Sequence, residues 1–264
     1  NYKSVYAEKN LELEKLANQE TLSENFDFIE VIDRKENDTV SLNDEKGLLS
    51  IVIPYFNMGS YIEDTIKSLT KVSYAPLEII IVNDGSTEDA SIRKLQEINE
   101  KHNVTIYNKE NEGLSLTRNY GSDKATGEFL AFLDADDTVS PDYYKRATEV
   151  LKHYTNVSFV GCWAQYFGES KSTWPTFNPE PPYLLVHNMI NSSALIYKKS
   201  DFINFGKNDP ALIYGMEDYD SVISMVKNGA RGVVFPELWW QYRIRSNSMP
   251  QALNKNKELY LYSL

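Results

Sequence analysis

The chain has 264 residues, a formal net charge of −11, 42% hydrophobic and 25% charged residues. That is enough to bury one large core or two modest lobes, and the composition is that of a globular protein. The acidic balance, with a pI near 4.9, argues against bulk nucleic-acid binding, and no run approaches the roughly 18 apolar residues of a membrane span.

Residues 1–47 are rich in Glu, Asp, Asn and Lys, with a helix expected over Val5–Ala17, and read as an N-terminal extension or linker. From Leu48 the pattern becomes regular. Leu48–Ile53 is an apolar strand stopped by Pro54; residues 60–71 place Ile62, Ile66 and Leu69 on one helical face. Leu77–Val82 is a second buried strand, ending in Asn83-Asp84-Gly85-Ser86. Ser86 to Asp89 resembles a capping box, with Ile92, Leu95 and Ile98 lining the helix that follows. Val104–Tyr107 is a third strand, 114–125 a helix and Phe129–Leu133 a fourth strand. Alternating elements with wholly apolar strands imply a parallel sheet covered on both faces.

The fourth strand ends in three carboxylates, Asp134, Asp136 and Asp137. Like charges at the tip of a buried strand are costly unless a cation sits among them. Oxygen ligands suit Mg²⁺ or Mn²⁺; the alternative is an acidic turn that opens a helix at Ser140-Pro141. In such sheets ligands bind beyond the carboxyl ends of the strands, so Pro54 to Asn57, Asn83 to Ser86 and Asp134 to Asp137 converge on one edge. Neither a Gly-x-Gly-x-x-Gly segment nor a Gly-Lys-Ser/Thr segment is present.

Beyond Pro141 come a helix over 142–153, short strands near 157–161 and 163–167, and a Pro- and aromatic-rich loop from Trp174 to Pro182. The loop is either a substrate contact or a cover over the core. Ala194–Tyr197 is a strand, 216–228 a helix closed by Asn228-Gly229, and Val233–Phe235 and Leu238–Ile244 are final strands. The single cysteine, Cys162, reads as a buried apolar residue and fits a reducing compartment; the three histidines are too scattered for a zinc site.

Ser50-Ile-Val-Ile-Pro-Tyr-Phe-Asn57 and Glu78-Ile-Ile-Ile-Val-Asn-Asp-Gly-Ser86 resemble segments of the family 2 glycosyltransferases of the GT-A fold. Asn111 to Gly121, Phe132 to Asp137 (an Asp-x-Asp motif) and Met216 to Asp220 (a Glu-Asp motif) continue the resemblance in order, from about Leu48 to Met249. The resemblance implies an α/β fold with a Rossmann-like nucleotide-binding half and a mostly parallel central sheet, over 48–140. An acceptor-binding half over 141–249 and a tail over 250–264 complete the expected organisation. The implied reaction is inverting transfer from a nucleoside-diphosphate sugar, most simply a UDP-sugar, to an acceptor hydroxyl.

On this resemblance Asp218 is the catalytic base, with Glu217 as the other choice. Asp84 would accept a hydrogen bond from the nucleobase, and Gly85 would let backbone approach the ligand. Pro54, Tyr55, Asn57 and Ala135 would shape the donor pocket, Tyr55 by stacking on the base. Asp136 would hold Mn²⁺ or Mg²⁺ against the diphosphate, Asp134 would contact the ribose or the metal's shell, and Asp137 would be either a third ligand or a brace of the turn. Arg118 supports the diphosphate, braces Asp134 or makes a structural ion pair. Trp239 or Trp240 would floor the acceptor site. One departure stands out: Arg245 occupies the place where the family often has a metal-binding histidine. Arginine does not ligate cations but grips phosphate, so Arg245 is expected to bind the donor and weaken metal dependence.

The implied partners are a nucleotide-sugar donor and a glycan, glycolipid or glycoprotein acceptor, in bacterial glycan assembly. The expected location is cytoplasmic, with peripheral association at the inner membrane face. Two rivals are a non-catalytic glycosyltransferase-like binding domain and a haloacid-dehalogenase-like phosphatase, since Asp134 to Val139 also fits an Asp-x-Asp-x-Thr-Val nucleophile motif.

Overall fold

A computed structural model describes residues 47–213 and 215–245. The helix expected over Val5–Ala17 and the tail over 250–264 lie outside the described residues. The first half is a β/α succession: β1 (Leu49–Tyr55), α1 (Ile62–Leu69), β2 (Leu77–Asp84), α2 (Asp89–Lys101), β3 (Thr105–Lys109), α3 (Leu114–Lys124) and β4 (Phe129–Phe132). Then follow β5 (Thr138–Val139), α4 (Tyr143–His153), β6 (Val157–Gly168), β7 (Thr173–Trp174), β8 (Ile196–Lys198), α5 (Glu217–Lys227) and β9 (Arg231–Ile244).

The strands form one mixed sheet in the order β3-β2-β1-β4-β8-β6-β9-β5, with β7 beside β6. The pairs β3-β2, β2-β1 and β1-β4 are parallel, as the apolar runs require, and every residue of β1 and β4 is buried. The short β8 pairs antiparallel with both β4 and β6, carrying the sheet unbroken from the first half of the chain into the second.

Two pairs of short strands expected in the second half are instead two long strands. β6 and β9 run parallel with register shifts at Val157/Phe159, Cys162/Trp163 and Trp163/Ala164. Cys162 pairs with Phe235 and Trp163 with Leu238, so Pro236 and Glu237 are extra residues on β9. A bulge is where a strand tolerates a residue with no N–H, so Pro236 does not end β9. The start of α2 is also not the expected capping box. The Asn57 side-chain carbonyl accepts the N–H groups of Thr87 and Glu88 (2.9 and 3.0 Å), and the Ser86 hydroxyl accepts the Asn57 N–H. Asn57, at φ 54°, thus holds the turn leading into α2 from across the sheet edge, and the helix itself has no side-chain cap bond.

Helix α3 lies against β1 and β2 through Gly121, where a Cβ would overlap Val52 Cγ1 and press on Val82 Cγ2 at 3.1 Å. Alanine gains up to about 1 kcal/mol of helix propensity over glycine. Overpacking a fixed core costs about 1–3 kcal/mol, so the clash decides the sign. Gly121→Ala is expected to lower the urea midpoint; a midpoint at or above that of the native protein would contradict this packing.

Candidate active site

A cleft of about 860 Å³ opens beyond the carboxyl ends of β1, β2 and β4, bounded by the N-terminal ends of α3 and α5 and by β6, β7 and β9. Its centre is Arg118. This arginine is 3% exposed on α3 and bridges two carboxylates, Nη2 to Asp134 Oδ1 and Nη1 to Glu217 Oε1, each at 2.8 Å. Burial disfavours its charge, but Asp134, Glu217 and Asp218 outweigh that and push its pKa above the ordinary arginine value. Of the roles open to Arg118, the structure shows the brace and the ion pair, made to both sides of the cleft.

Glu217 and Asp218 begin α5, after Gly215 and Met216 turn the chain through positive φ (116° and 70°). Acidic residues in a first helical turn are favoured by the helix dipole. Both still have raised pKa values, first through burial, with Arg118 opposing the rise. Glu217 is spent on Arg118 and is 4% exposed; Asp218, half-buried, keeps a face to the cleft, its Oδ1 accepting the N–H of Tyr219.

The three carboxylates after β4 divide. Asp134 and Asp136 line the cleft. Asp137 does not, which corrects its place among the ligands: it is 1% exposed, with Oδ2 accepting the Trp240 indole N–H (2.9 Å) and Oδ1 the Arg243 backbone N–H (2.8 Å). Asp137 fastens the turn to β9. Burial, then repulsion from Asp134 and Asp136, pushes its pKa well up. Asp136 is likewise raised by burial and by Asp134, against the pull of Arg245, whose Nε lies 2.8 Å from Asp136 Oδ2 without hydrogen-bond alignment.

Arg243, overlooked in the sequence, stands next to this pair. Its side chain donates to the Asp136 carbonyl and pairs with Asp64, both near 2.9 Å (2.8 and 2.9 Å), while its guanidinium covers the Phe167 ring. Arg245 lies over the Tyr61 ring at 5.0 Å.

On the opposite side, Asp84 is 4% exposed. Its Oδ1 accepts from Lys109 Nζ (2.5 Å) and the Glu112 N–H, and its Oδ2 from the Gly113 N–H (2.9 Å). A carboxylate has about four acceptor positions, so one on Oδ2 remains. Gly85, at φ 67°, makes its close approach to Asn111 rather than to the cleft, since a Cβ would stand 2.8 Å from the Asn111 nitrogen. Pro54 and Ala135 border the cleft, and the Thr65 hydroxyl holds the carbonyls of Ala135 (3.0 Å) and Asp137 (2.8 Å).

Tyr55 borders the cleft but is fully buried, its hydroxyl donating to the Ser91 carbonyl, so its ring is not available for stacking; Phe56, 41% exposed, borders the cleft beside it. Neither expected tryptophan borders the cleft. Trp240 is fully buried against Asp137, and Trp239, left over where Leu238 pairs with Trp163 and Trp240 with Ala164, packs on Tyr143 and Phe235. The aromatic residues that do line it are Tyr166, Trp174 and Tyr242. Of the Pro- and aromatic-rich loop, Trp174 borders the cleft, while Thr176 and Pro179 are buried as a cover over the core.

Among the described residues no three His, Cys, Asp or Glu side chains form a ready metal cage. Asp134 and Asp136 do suit an ion of the Mg²⁺ type, which is held by one or two carboxylates together with substrate phosphates. Their mutual repulsion in a buried setting favours a cation between them.

The sheet and cleft define a GT-A glycosyltransferase fold. S. aureus TarS 1-349, solved with UDP-GlcNAc, superposes with a TM-score of 0.63 at 21% identity, over 76% of this chain and 60% of that one. The mannosyltransferase PcManGT from Pyrobaculum calidifontis, solved with GDP-Man and Mn²⁺, gives 0.60 at 17% identity over 81% and 62%. The model of glycosyl transferase family 2 matches residues 50–207, and the chain belongs to that family. Relatives include the uncharacterized glycosyltransferase YibD of Escherichia coli K12, 39% identical over 128 residues, 48% of this chain and 37% of that protein. The putative teichuronic acid biosynthesis glycosyltransferase TuaG of Bacillus subtilis 168 is 27% identical over 209 residues, 77% of this chain and 82% of its own. The chain thus spans little more than a third of the first relative's length. Family membership overturns the phosphatase alternative, and Asp134, its would-be nucleophile, is tied to Arg118.

Proposed function

We propose that this domain transfers a sugar from a nucleoside-diphosphate donor, a UDP-sugar by preference, to an acceptor hydroxyl with inversion at the anomeric carbon. The observation that carries this reading is the placement of Asp84, Asp134, Asp136 and Asp218 around one cleft at the sheet edge. Asp218 takes the proton from the acceptor hydroxyl as its oxygen bonds to the anomeric carbon. The bond from that carbon to the donor diphosphate breaks on the opposite face, and the electron pair leaves with the diphosphate. The remaining acceptor position of Asp84 receives a nucleobase N–H. Arg245 reaches toward the diphosphate, and Arg118 keeps Asp134 and Glu217 in place.

A Mn²⁺ or Mg²⁺ ion held by Asp136 and Asp134 with the diphosphate would neutralise the charge of the leaving group. The nucleotide sugars bound to TarS and PcManGT, and the Mn²⁺ in the latter, support a donor and ion of this kind. We take the acceptor to be a glycan, glycolipid or glycoprotein, and the likeness to TuaG, a putative teichuronic acid biosynthesis glycosyltransferase, supports the first of these. None of the helices among the described residues is long and apolar enough to cross a membrane; we place the domain at the cytoplasmic face, associated peripherally.

Titration calorimetry with UDP, GDP, CMP and dTDP, with and without Mn²⁺, tests the donor reading. UDP is expected to bind with Mn²⁺ present and to lose at least about tenfold in affinity in Asp136→Ala, the scale of one charge-assisted contact. UDP binding that ignores Mn²⁺ would transfer the phosphate grip to Arg245. Binding of none of the four would overturn the reading, and binding without any transfer would identify a non-catalytic domain.

A further inference from the structure

The cleft has a second wall that the donor does not need. Tyr166 on β6 and Tyr242 on β9 are directly paired, their ring centroids 5.7 Å apart. Trp174 on β7 completes the group, 6.4 Å from each ring and edge-on to Tyr242 at 88°. Three aromatic rings that border an open cleft, rather than a core, form a firm apolar surface with little side-chain freedom left to lose.

Their polar ends are idle. Among the described residues neither tyrosine hydroxyl nor the Trp174 indole N–H has a hydrogen-bond partner, whereas the Trp163 indole donates to the Thr176 carbonyl and the Trp240 indole to Asp137. Asn191, 3% exposed and bordering the same cleft, has a buried Nδ2 with no partner, although its Oδ1 accepts the Ser193 hydroxyl. A buried donor left unpaired costs about 1–3 kcal/mol, so a ligand that pairs it gains by that relief.

We infer that Tyr166, Trp174, Tyr242 and Asn191 form the subsite for a pyranoside ring of the acceptor. The inference rests on the glycosyl-transfer reading above and adds the chemical class of its second substrate. A pyranoside has a flat C–H face, which suits an aromatic wall, and a rim of hydroxyls, which suits idle donors at its edges. A bare alkyl chain would leave the four donors unpaired, and a highly charged acceptor would meet no cation in this group. The same cleft holds Asp218, so a hydroxyl of a ring seated here shares its space with the base.

The test uses the full chain with UDP and Mn²⁺ present. Saturation-transfer NMR is run with the methyl β-glycosides of glucose, galactose and N-acetylglucosamine and with methyl α-mannoside. At least one is expected to bind, and to bind about tenfold more weakly in Trp174→Ala, the loss of one aromatic contact with its hydrogen bond. UDP affinity is expected to stay as it was. Tyr242→Phe keeps the ring and removes the hydroxyl; it is expected to weaken the same glycoside, and it serves where the alanine variant fails to fold. Binding of no glycoside while UDP still binds overturns the subsite alone, as does glycoside binding that both variants leave unchanged. Failure of UDP to bind would instead strike the donor reading.

Discussion

Asp218→Asn is expected to slow sugar transfer by about two to four orders of magnitude, the usual contribution of a positioned general base, while UDP affinity stays unchanged. Asparagine keeps the shape and the bond to the Tyr219 N–H, so the loss reports the missing proton acceptor. The pH profile gives a second reading. Burial raises the Asp218 pKa above its ordinary value, with Arg118 resisting. The active form is the carboxylate, so kcat/KM should rise with pH along a limb above the ordinary aspartate range and fall as pH drops through it. Glu217→Gln removes one partner of Arg118 but not the proton acceptor, so that limb should persist. A larger loss in Glu217→Gln than in Asp218→Asn would reverse the assignment.

The second large effect belongs to Arg118. Breaking a buried ion pair from one side costs about 3–5 kcal/mol, because the remaining charge is left uncompensated. Here one removal strands two carboxylates, Asp134 and Glu217. Arg118→Met is therefore expected to lower the unfolding free energy by about that amount at neutral pH, measured by urea denaturation. Burial raises the folded-state pKa of Glu217, and removing Arg118 removes the charge that opposes the rise. Protonation of Glu217 then favours the folded variant, so the deficit should shrink as pH falls through its raised pKa. Adding Glu217→Gln should restore part of the loss. A deficit below about 1 kcal/mol would mean that the pair is solvated like a surface bridge.

The parallel half was legible because β1, β2 and β4 are unbroken apolar runs and parallel strands need helical crossovers. The same property concealed Tyr55. A strand buried on both faces has no alternation of polar and apolar residues, so nothing in its pattern says which ring points toward a ligand. The place of Asp134, Asp136 and Asp218 at the cleft was legible because acids clustered at element ends demand an explanation. Asp137 belongs to that cluster by composition, but its partners are Trp240 and the Arg243 backbone, more than a hundred positions away. Asn57 shows the same limit, since its side chain holds a turn 30 positions further on. The two tryptophans drew attention by their identity, yet the bulges in β9 set the direction of each, and a bulge depends on the partner strand. Tyr166, Trp174 and Tyr242 come from three separate strands, so only the folded sheet makes them a group.

The bond from Arg243 to Asp137 spans 106 positions, and β5 finds its partner only in β9, the last strand described. Chains emerge from the ribosome N-terminus first, and such distant pairings form late. A nascent chain that has released β1 to β5 carries Thr65 and Arg118, which hold the Ala135 and Asp137 carbonyls and the Asp134 carboxylate. The segment following its acidic motif still lacks its partner strand and the N–H groups that fix the Asp137 carboxylate. Completion of β9 closes that segment. Synthesis therefore imposes an order of assembly in which the Asp137 carboxylate is fixed last, after the strand that binds it has emerged.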